Sequence, residues 1–383
     1  YDNNLSKEYP YRWTVMRTRN DKTESVLLYE RKYGNNEKIA DKIWQSIQNP
    51  FDLNDIYMLA NENTYISHLR TVMGRVTQQM INIEQMDAYY QKQSDIAENM
   101  RKFHGFIKTN LIHTYCGIKI DKNNEHHKVK VLDYGIGRGG DLMKYFSSRV
   151  ESVVGFDSDY NGLFGTSESA LSRYNNFEKK FQKIVFPLTL ILANGSYKLD
   201  AESQEKVILN MQSENKQTIA KIFGKNQNDK KHHKFDAISS QMVVHFMFKS
   251  QETIDNLCWN INKYLNDGGY YIVTTIDGKK LDEMLSETGE YSGYYTDEKK
   301  KKKLLFKYNK LYTEEYGPKF GLTVDFHMSS FNFENQFMSE YLVDPDYFAD
   351  IMRTKCNMKL INTDTFKYQF ELFRHWFNNV APY

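Results

Sequence analysis

The feature that most constrains the fold of this 383-residue chain is a glycine-rich segment from Val131 to Gly140, with the sequence VLDYGIGRGG. Apolar residues at its start predict a buried strand, and helical spacing begins just after it, from Asp141 to Tyr145. Ser152 to Phe156 has the composition of a second strand. The order strand, glycine turn, helix, strand predicts a βαβ unit, which places both strands in a parallel sheet.

Further apolar runs predict more buried strands at Leu188–Ala193, Phe235–Val244 and Tyr270–Thr275. Between the last two runs, apolar residues recur at helical spacing from Ile254 to Leu265, and the glycine pair that follows predicts a helix end. This alternation of strands and helices predicts an α/β fold in which helices cover both faces of a parallel sheet.

Composition limits the class of protein. With 51 Lys and Arg against 49 Asp and Glu, the net charge is +2, so any basic surface that binds nucleic acid must be local. Aromatic residues make up 15% of the chain, which predicts a substantial core. The three cysteines, Cys116, Cys258 and Cys356, have the spacing of neither a disulfide framework nor a zinc site, which favours a reducing compartment.

No apolar stretch reaches the roughly 18 residues that a membrane span needs, so we expect no membrane association. Because the chain begins at Tyr1 and has no secretory signal, we expect it to be cut from a longer polypeptide. Two charged stretches interrupt the α/β pattern. Residues 200–234 are interpreted as an insertion with a solvated tip, and Lys299 to Lys303 is either a solvated helical face or a contact for RNA phosphates.

The glycines of the turn do not by themselves identify a cofactor, because Gly135, Gly137 and Gly140 also satisfy the dinucleotide pattern G-x-G-x-x-G. Asp133 favours a different ligand: a carboxylate there would repel a pyrophosphate but attract the ammonium group of S-adenosylmethionine. Asp157 follows Gly135 by 22 residues, at the end of the next strand, where it is placed to accept both ribose hydroxyls. A methyl donor is therefore favoured over NAD or a purely structural turn.

Four separated stretches, taken together, resemble the S-adenosylmethionine-dependent mRNA cap guanine-N7 methyltransferases. They are Met100–Thr109, the turn from Asp133 to Leu142, Phe235–Ser250, and the pair Phe320-Gly321 with Ser339–Val343. The resemblance covers about residues 85 to 376. It implies a class I methyltransferase fold, which is Rossmann-like with a mostly parallel seven-stranded sheet and helices on both faces.

The resemblance also assigns site residues, with S-adenosylmethionine as donor, S-adenosylhomocysteine as product and no metal. The residues that it places around the donor are Lys108, Asp133, Gly135, Gly137, Asp141, Asp157, Asn194 and Gln241. The residues that it places around the cap guanine are His245, Phe246 and Glu340, of which His245 and Glu340 are the catalytic candidates.

Some positions depart from the family pattern. His104 and Gly105 stand where a pair of asparagines is expected, and Asn194 replaces an aspartate on the adenine side. Asn194 can still offer an acceptor to the adenine amino group, whereas Phe246, which replaces a tyrosine, can only stack. The tyrosine of the family's closing strand cannot be assigned from the sequence.

The N-terminal segment has a second resemblance. Trp13 to Lys22 is similar to the last motif of mRNA guanylyltransferases, with a charged β-hairpin as the alternative. The expected domains are residues 1–50 as the end of a guanylyltransferase OB domain, 51–110 as linker and lead-in helices, and 111–383 as the methyltransferase. This order resembles the capping enzymes of poxviruses, asfarviruses and giant viruses, and it implies upstream guanylyltransferase and triphosphatase domains, 5'-capped mRNA as substrate and a cytoplasmic location.

The implied chemistry needs no general base, because guanine N7 carries a free lone pair that can attack the sulfonium methyl in line. The protein would align the reactants and place negative potential near the purine, a role suited to Glu340. The structural alternatives are a surface carboxylate at a helix start for Glu340 and a core residue in an apolar strand for His245. The functional alternatives are a catalytically silent stimulatory subunit and a methyltransferase that acts on a small molecule or a protein.

Overall fold

The computed structural model describes residues 53–61, 68, 95–120, 123–165, 168–181, 185–208, 211–297, 300–330, 332 and 336–380, without the side chains of 95 and 376–380. The guanylyltransferase-like segment 1–50 and most of the predicted linker therefore lie outside the described residues. The chain divides into two compact units, Tyr1–Ile83 and Glu84–Tyr383. In the first unit, helix α1 (Leu53–Ala60) buries Asp55, whose Oδ1 lies 2.8 Å from Nε2 of His68.

The second unit begins with a 3-10 turn at Asp95–Ala97 and a long helix, α2 (Glu98–Cys116). A short antiparallel ribbon follows, made of β1 (Lys119–Ile120) and β2 (His126–His127). The central sheet then takes up five parallel strands: β3 (Lys130–Tyr134), β4 (Ser152–Asp157), β5 (Leu188–Leu192), β6 (Phe235–Gln241) and β7 (Leu265–Thr274).

The strand order of this sheet is β5-β4-β3-β6-β7, with β3 in the centre. Val131 of β3 pairs with Val153 of β4 on one side and with Ala237 of β6 on the other, both in parallel register. Such a doubly wound order brings the carboxyl ends of β3, β4 and β6 together at the position where the direction of winding reverses, which is where ligands bind in folds of this kind.

Helices connect successive strands of the sheet. In chain order they are α3 (Leu142–Ser147), α4 (Tyr160–Phe164), α5 (Ala170–Phe181), α6 (Ala201–Glu205), α7 (Ser213–Phe223), α8 (Val244–Met247) and α9 (Gln251–Tyr264). Both faces of the sheet are buried: Leu132 lies in one apolar cluster with Leu257 of α9, and the adjacent Val131 lies in another with Ile112 of α2. Because neighbouring residues of one strand point to opposite faces, this arrangement confirms the predicted α/β fold.

The predicted seven-stranded sheet is wrong in its strand count, because among the described residues the parallel sheet has five strands. After β7 the chain forms α10 (Gly278–Leu285) and then a separate antiparallel sheet in the order β11-β10-β9-β8. Its strands are β8 (Glu290–Thr296), β9 (Lys302–Lys310), β10 (Thr323–Met328) and β11 (Met338–Tyr341). Among the described residues these strands pair with one another and not with the parallel sheet.

Residues 200–234 are not solvated throughout. Helix α7 buries Ile219, Ile222 and Phe223 in the same apolar cluster as Leu132. Exposed residues also occur on and around α6 and α7, and they form a nearly continuous run in the loop 225–234.

The unit ends with two helices, α11 (Pro345–Cys356) and α12 (Phe366–Val380). Helix α12 packs on α2 through Phe370, whose ring centroid lies 5.4 Å from that of Phe103. Within the part of the chain that the structure describes, no helix combines the length and the apolar character of a transmembrane span.

Candidate active site

The glycine turn forms an open cradle at the carboxyl end of β3. Gly135, Gly137 and Gly139 have φ angles of +88°, +52° and +71°, a conformation that side chains with a Cβ rarely adopt. Gly137 also faces free space, since the nearest heavy atom to a Cβ built there would be Oδ2 of Asp157, at 3.9 Å. The backbone of the turn is therefore accessible to a ligand.

Asp157 is held beside this turn at the end of β4. Its Oδ2 accepts a hydrogen bond from the Gly137 backbone N–H at 2.8 Å, and its Oδ1 accepts one from the Asp159 N–H at 2.9 Å. Burial raises the pKa of Asp157, whereas these backbone hydrogen bonds lower it. The carboxylate is thus fixed in orientation, and its remaining lone pairs are available to the hydroxyls of a ligand.

Asp133 lies in β3 and is 2% exposed. Burial, followed by the negative charge of Asp141, raises the pKa of Asp133 to about 8, although the hydroxyl of Tyr145 and the positive charge of Lys108 act in the opposite direction. A cation that binds next to such a buried carboxyl group lowers the free-energy cost of ionising it. The site therefore suits a ligand that carries an ammonium group.

Asp141, in contrast, already has cationic partners. Its Oδ1 lies 2.8 Å from Nζ of Lys108 and 2.9 Å from Nζ of Lys144. Burial would raise the pKa of Asp141, but the two ammonium groups outweigh burial and hold it well below its usual range. Lys108 reaches from α2 to Asp141, just after the glycine turn, and its role as a ligand of the donor carboxylate stays a prediction. Lys144 is a neighbour that sequence reasoning did not identify.

Asn194 and Gln241 complete the same edge of the sheet. Asn194 follows β5, and its Oδ1 accepts a hydrogen bond from the Ser196 N–H at 2.9 Å. Gln241 is the last residue of β6, where its Nε2 donates to Oγ of Ser239 and its Oε1 accepts from Oγ1 of Thr274, both at 3.0 Å. The predicted donor residues thus come from the carboxyl ends of β3, β4, β5 and β6 together with α2 and the start of α3.

His245 lies in α8, the short helix after β6, and not in a strand as predicted from its apolar surroundings. Strand β6 ends at Gln241, and Met242 has a φ of +61°, which breaks the extended conformation. The side chain of His245 is buried, and neither ring nitrogen has a hydrogen-bond partner among the described residues. Burial lowers the pKa of His245 to about 4, so the imidazole is neutral near pH 7. Phe246 lies beside it, with ring centroids 4.2 Å apart.

Glu340 lies opposite His245. It is part of β11 and is 3% exposed, so the alternative of a surface carboxylate at a helix start is wrong. Its Oε1 lies 3.8 Å from Nε2 of His245, which is longer than a hydrogen bond. Tyr308 of β9 also lies near Glu340. Burial and the negative charge of Glu340 together raise the pKa of Tyr308 well above its ordinary value. No sequence motif pointed to Tyr308; the sheet register places it there.

The segment that carries His245 contacts the glycine turn through Val243. A Cβ built on Gly135 would lie 2.6 Å from Cγ2 of Val243, so the side chain of Val243 packs on the backbone of the glycine turn. Val243 is two residues before His245. The structure therefore brings together the predicted donor residues and the predicted acceptor residues at one edge of the sheet.

Comparison with known proteins identifies the family. Residues 71–379 match the model of the mRNA (guanine-N(7))-methyltransferase domain. The chain belongs to this family. The resemblance drawn from the four sequence motifs is therefore confirmed, and with it the interpretation of an mRNA cap guanine-N7 methyltransferase domain.

Three relatives show where this methyltransferase domain occurs. The chain is 35% identical to a probable mRNA-capping enzyme of Acanthamoeba polyphaga mimivirus, over 97% of this chain and 30% of that protein. It is 23% identical to an mRNA-capping enzyme of African swine fever virus (strain Badajoz 1971 Vero-adapted), over 95% of this chain and 35% of that protein. It is 25% identical to mRNA cap guanine-N(7) methyltransferase 1 of Oryza sativa subsp. japonica, over 67% of this chain and 66% of that protein. The chain thus spans about a third of the length of its viral relatives.

The residues at the sheet edge fit the donor that this methyltransferase family uses, S-adenosylmethionine. Asp133 is a buried carboxyl group whose ionisation an ammonium group would favour, and Asp157 is an oriented acceptor for ribose hydroxyls. The open space at Gly137 allows close approach of a ligand to the turn. When bound, S-adenosylmethionine supplies an electrophilic methyl group on its sulfonium sulfur.

Proposed function

We propose that this chain transfers the methyl group of S-adenosylmethionine to N7 of the guanosine cap of mRNA, leaving S-adenosylhomocysteine. The observation that carries this proposal is the buried pair of His245 and Glu340. His245 follows Val243 by two residues, and Val243 packs on the glycine turn. A methyltransferase site that served an unrelated acceptor would have no need of a buried carboxylate beside a neutral imidazole at this position.

Glu340 has the chemistry to select and activate guanine. Its carboxylate can accept hydrogen bonds from N1–H and from the 2-amino group of the base together, which adenine cannot supply. Its negative charge also stabilises the positive charge that develops on the purine as N7 is methylated. Because N7 carries a free lone pair, neither Glu340 nor His245 has to remove a proton.

His245 contributes as a neutral group. With its pKa lowered to about 4, the imidazole places no positive charge next to a purine that is becoming cationic. Its two ring nitrogens, which have no partner in the part of the chain that the structure describes, can hydrogen-bond a bound nucleotide, and this would relieve the cost of burying them. Phe246 offers a ring for stacking in place of the tyrosine of the family pattern.

On the donor side, Asp133 would hold the ammonium group and Asp157 the ribose. Lys108 would bind the carboxylate of the donor while remaining beside Asp141. Asn194 and Gln241 would lie next to the adenosine. These residues fix the position of the sulfonium relative to the acceptor, which is the principal requirement of an in-line displacement.

The viral relatives support a wider role. Because the chain aligns with about a third of each viral mRNA-capping enzyme, we infer that it acts within a longer polypeptide that also carries guanylyltransferase and triphosphatase domains. Its substrate would then be 5'-capped mRNA, delivered by those domains, and its location the cytoplasm.

The proposal is tested by incubating the 383-residue chain with methyl-labelled S-adenosylmethionine and capped RNA, then digesting the RNA and separating the nucleosides. We expect label in 7-methylguanosine from the cap, and none with uncapped RNA. A silent stimulatory subunit would bind the donor without transfer, and a methyltransferase for another acceptor would leave the capped RNA unlabelled. Either result would refute the proposal.

A further inference from the structure

One face of the antiparallel sheet carries Glu340 and extends away from it. Residues paired directly across antiparallel strands point to the same face. Glu340 of β11 pairs with Val324 of β10, and Val324 pairs with Lys310 of β9. Tyr308 is two residues before Lys310 on β9, so it shares this face, and it pairs in turn with Tyr291 of β8. One face of the sheet therefore runs from Glu340 to β8. Around Val324 this face is buried, in one apolar cluster with Leu281 and Leu285 of α10, and it reaches the solvent only toward β8.

Aromatic rings form a continuous series on this face. Phe326 and Tyr308 are stacked with centroids 4.5 Å apart, Tyr308 lies 6.2 Å from Phe306, and Phe306 lies 5.7 Å from Tyr291. Gly293 makes the series possible, because a Cβ there would lie 2.2 Å from Cε1 of Phe306. The ring of Phe306 thus lies directly over the backbone of β8.

Exposure increases along this series. Tyr308 is 8% exposed, Tyr291 is 37% exposed, and Tyr294, farther along β8, is 52% exposed. Nζ of Lys302 lies 4.3 Å from the ring centroid of Tyr294. The series of rings therefore begins in the buried surroundings of Glu340 and becomes exposed toward β8. At the tip of the β8–β9 hairpin the ammonium group of Lys302 lies over the ring of Tyr294.

The tip of this hairpin is also basic. Lys300 to Lys303 are exposed, and Lys302 and Lys303 begin β9, so this part of the lysine run leads into a strand and does not form a helical face. One of these charges is balanced, since Nζ of Lys303 lies 3.2 Å from Oδ2 of Asp297. Positive charge therefore predominates where the aromatic surface meets the solvent.

We propose that this surface, defined by Phe306, Tyr291, Tyr294 and Lys302, binds the first nucleotides of the RNA chain that follow the cap. The inference rests on the proposed function, because it takes the cap guanine to lie at Glu340. Exposed aromatic rings stack on bases of any sequence, and lysines attract the phosphates between them. Its rings continue a series that begins at the buried Tyr308, and the surface has the charge that a polyanion requires.

The test compares a cap dinucleotide with a capped RNA of ten nucleotides, using the full 383-residue chain. We expect the wild-type KM to be at least about fivefold lower for the capped RNA, in the range that stacking of one base provides. Tyr294→Leu should remove most of this difference while leaving the KM for the dinucleotide unchanged. Tyr295→Leu is the matched control, because Tyr295 pairs with Lys303 and therefore points to the opposite face.

Fluorescence anisotropy with the same labelled RNA gives a second readout that does not depend on methyl transfer. Lys302→Gln should weaken this binding and reduce its dependence on salt concentration. Equal wild-type affinity for dinucleotide and RNA, or equal losses in Tyr294→Leu and Tyr295→Leu, would overturn the inference. So would competition by poly-glutamate as effective as that by uncapped RNA, since charge alone would then explain binding. Absence of methyl transfer with intact RNA binding at this surface would count against the proposed function only.

Discussion

The imidazole of His245 and the carboxylate of Glu340 face each other at 3.8 Å, and both are buried. One residue follows a strand of the parallel sheet and the other lies in the separate antiparallel sheet. The antiparallel sheet thereby brings a carboxylate to the edge of the parallel sheet where the predicted donor residues lie. We therefore expect the binding of donor and of acceptor to be separable by mutation.

Donor affinity should depend on Asp157. Asp157→Ala removes a carboxylate that can make charge-assisted hydrogen bonds to the ribose, each worth about 1.5 to 3 kcal/mol. We expect S-adenosylmethionine to bind at least tenfold more weakly in calorimetry. Asp159→Ala, which removes a carboxylate of the same loop, should change the affinity much less. Wild-type affinity in Asp157→Ala would contradict the assignment of the whole turn.

Donor binding should release a proton from Asp133. Because the pKa of this buried group is raised to about 8, it is mostly protonated in the free protein at pH 7, and an adjacent ammonium group favours its ionised form. Affinity should therefore rise with pH up to about 8. Calorimetry at pH 7 in two buffers of different protonation enthalpy should detect release of most of one proton. Asp133→Asn should bind the donor more weakly and release none; a wild-type protein that exchanges no proton would refute this role.

The stability of the fold should decrease on acidification because of His245. Its pKa is lowered from 6.5 to about 4 by burial, so between these pH values the unfolded chain binds a proton that the folded chain does not. The free energy of unfolding should fall as pH is lowered through this window, by on the order of 3 kcal/mol in total. Urea unfolding of the wild type and of His245→Gln at pH 4.5 and 7 measures this difference. An equal decrease in both proteins would show that other groups cause it.

Residues 1–50 should be dispensable for methyl transfer, because every residue assigned to donor or acceptor lies between Lys108 and Glu340. A chain that begins at residue 51 should retain wild-type donor affinity and cap methylation within about twofold. Thermal unfolding serves as the control for folding. A stable truncated protein that no longer methylates capped RNA would show that this segment contributes to the methyltransferase site.

The donor side could be predicted from the sequence because its signals are local. The glycines and Asp133 occupy one turn, and Asp157 ends the next strand of the same βαβ unit, so spacing alone fixes their relation. The acceptor side could be inferred only through the family resemblance. Glu340 is placed near His245 by the pairing of four antiparallel strands. Pairing between residues far apart in the chain leaves no periodic signal in one sequence. For the same reason the strand count and the presence of Tyr308 were not predicted. The helical position of His245 was missed because a short apolar run does not distinguish a strand from a buried helix.

The central claim is that Glu340 selects the cap guanine and takes no part in donor binding. Glu340→Gln keeps the size of the side chain but loses the charge and one acceptor, so a guanine N–H would face an amide N–H or remain unpaired, at a cost of about 1 to 3 kcal/mol.

The most direct test measures two quantities on Glu340→Gln: the rate of cap methylation at limiting capped RNA and the calorimetric affinity for S-adenosylmethionine. We predict that methylation falls by one to two orders of magnitude while donor affinity changes by less than about twofold. Methylation of capped RNA at the wild-type rate would contradict the guanine-reading role of Glu340. A parallel loss of methylation, donor affinity and thermal stability would show instead that this residue only supports the fold.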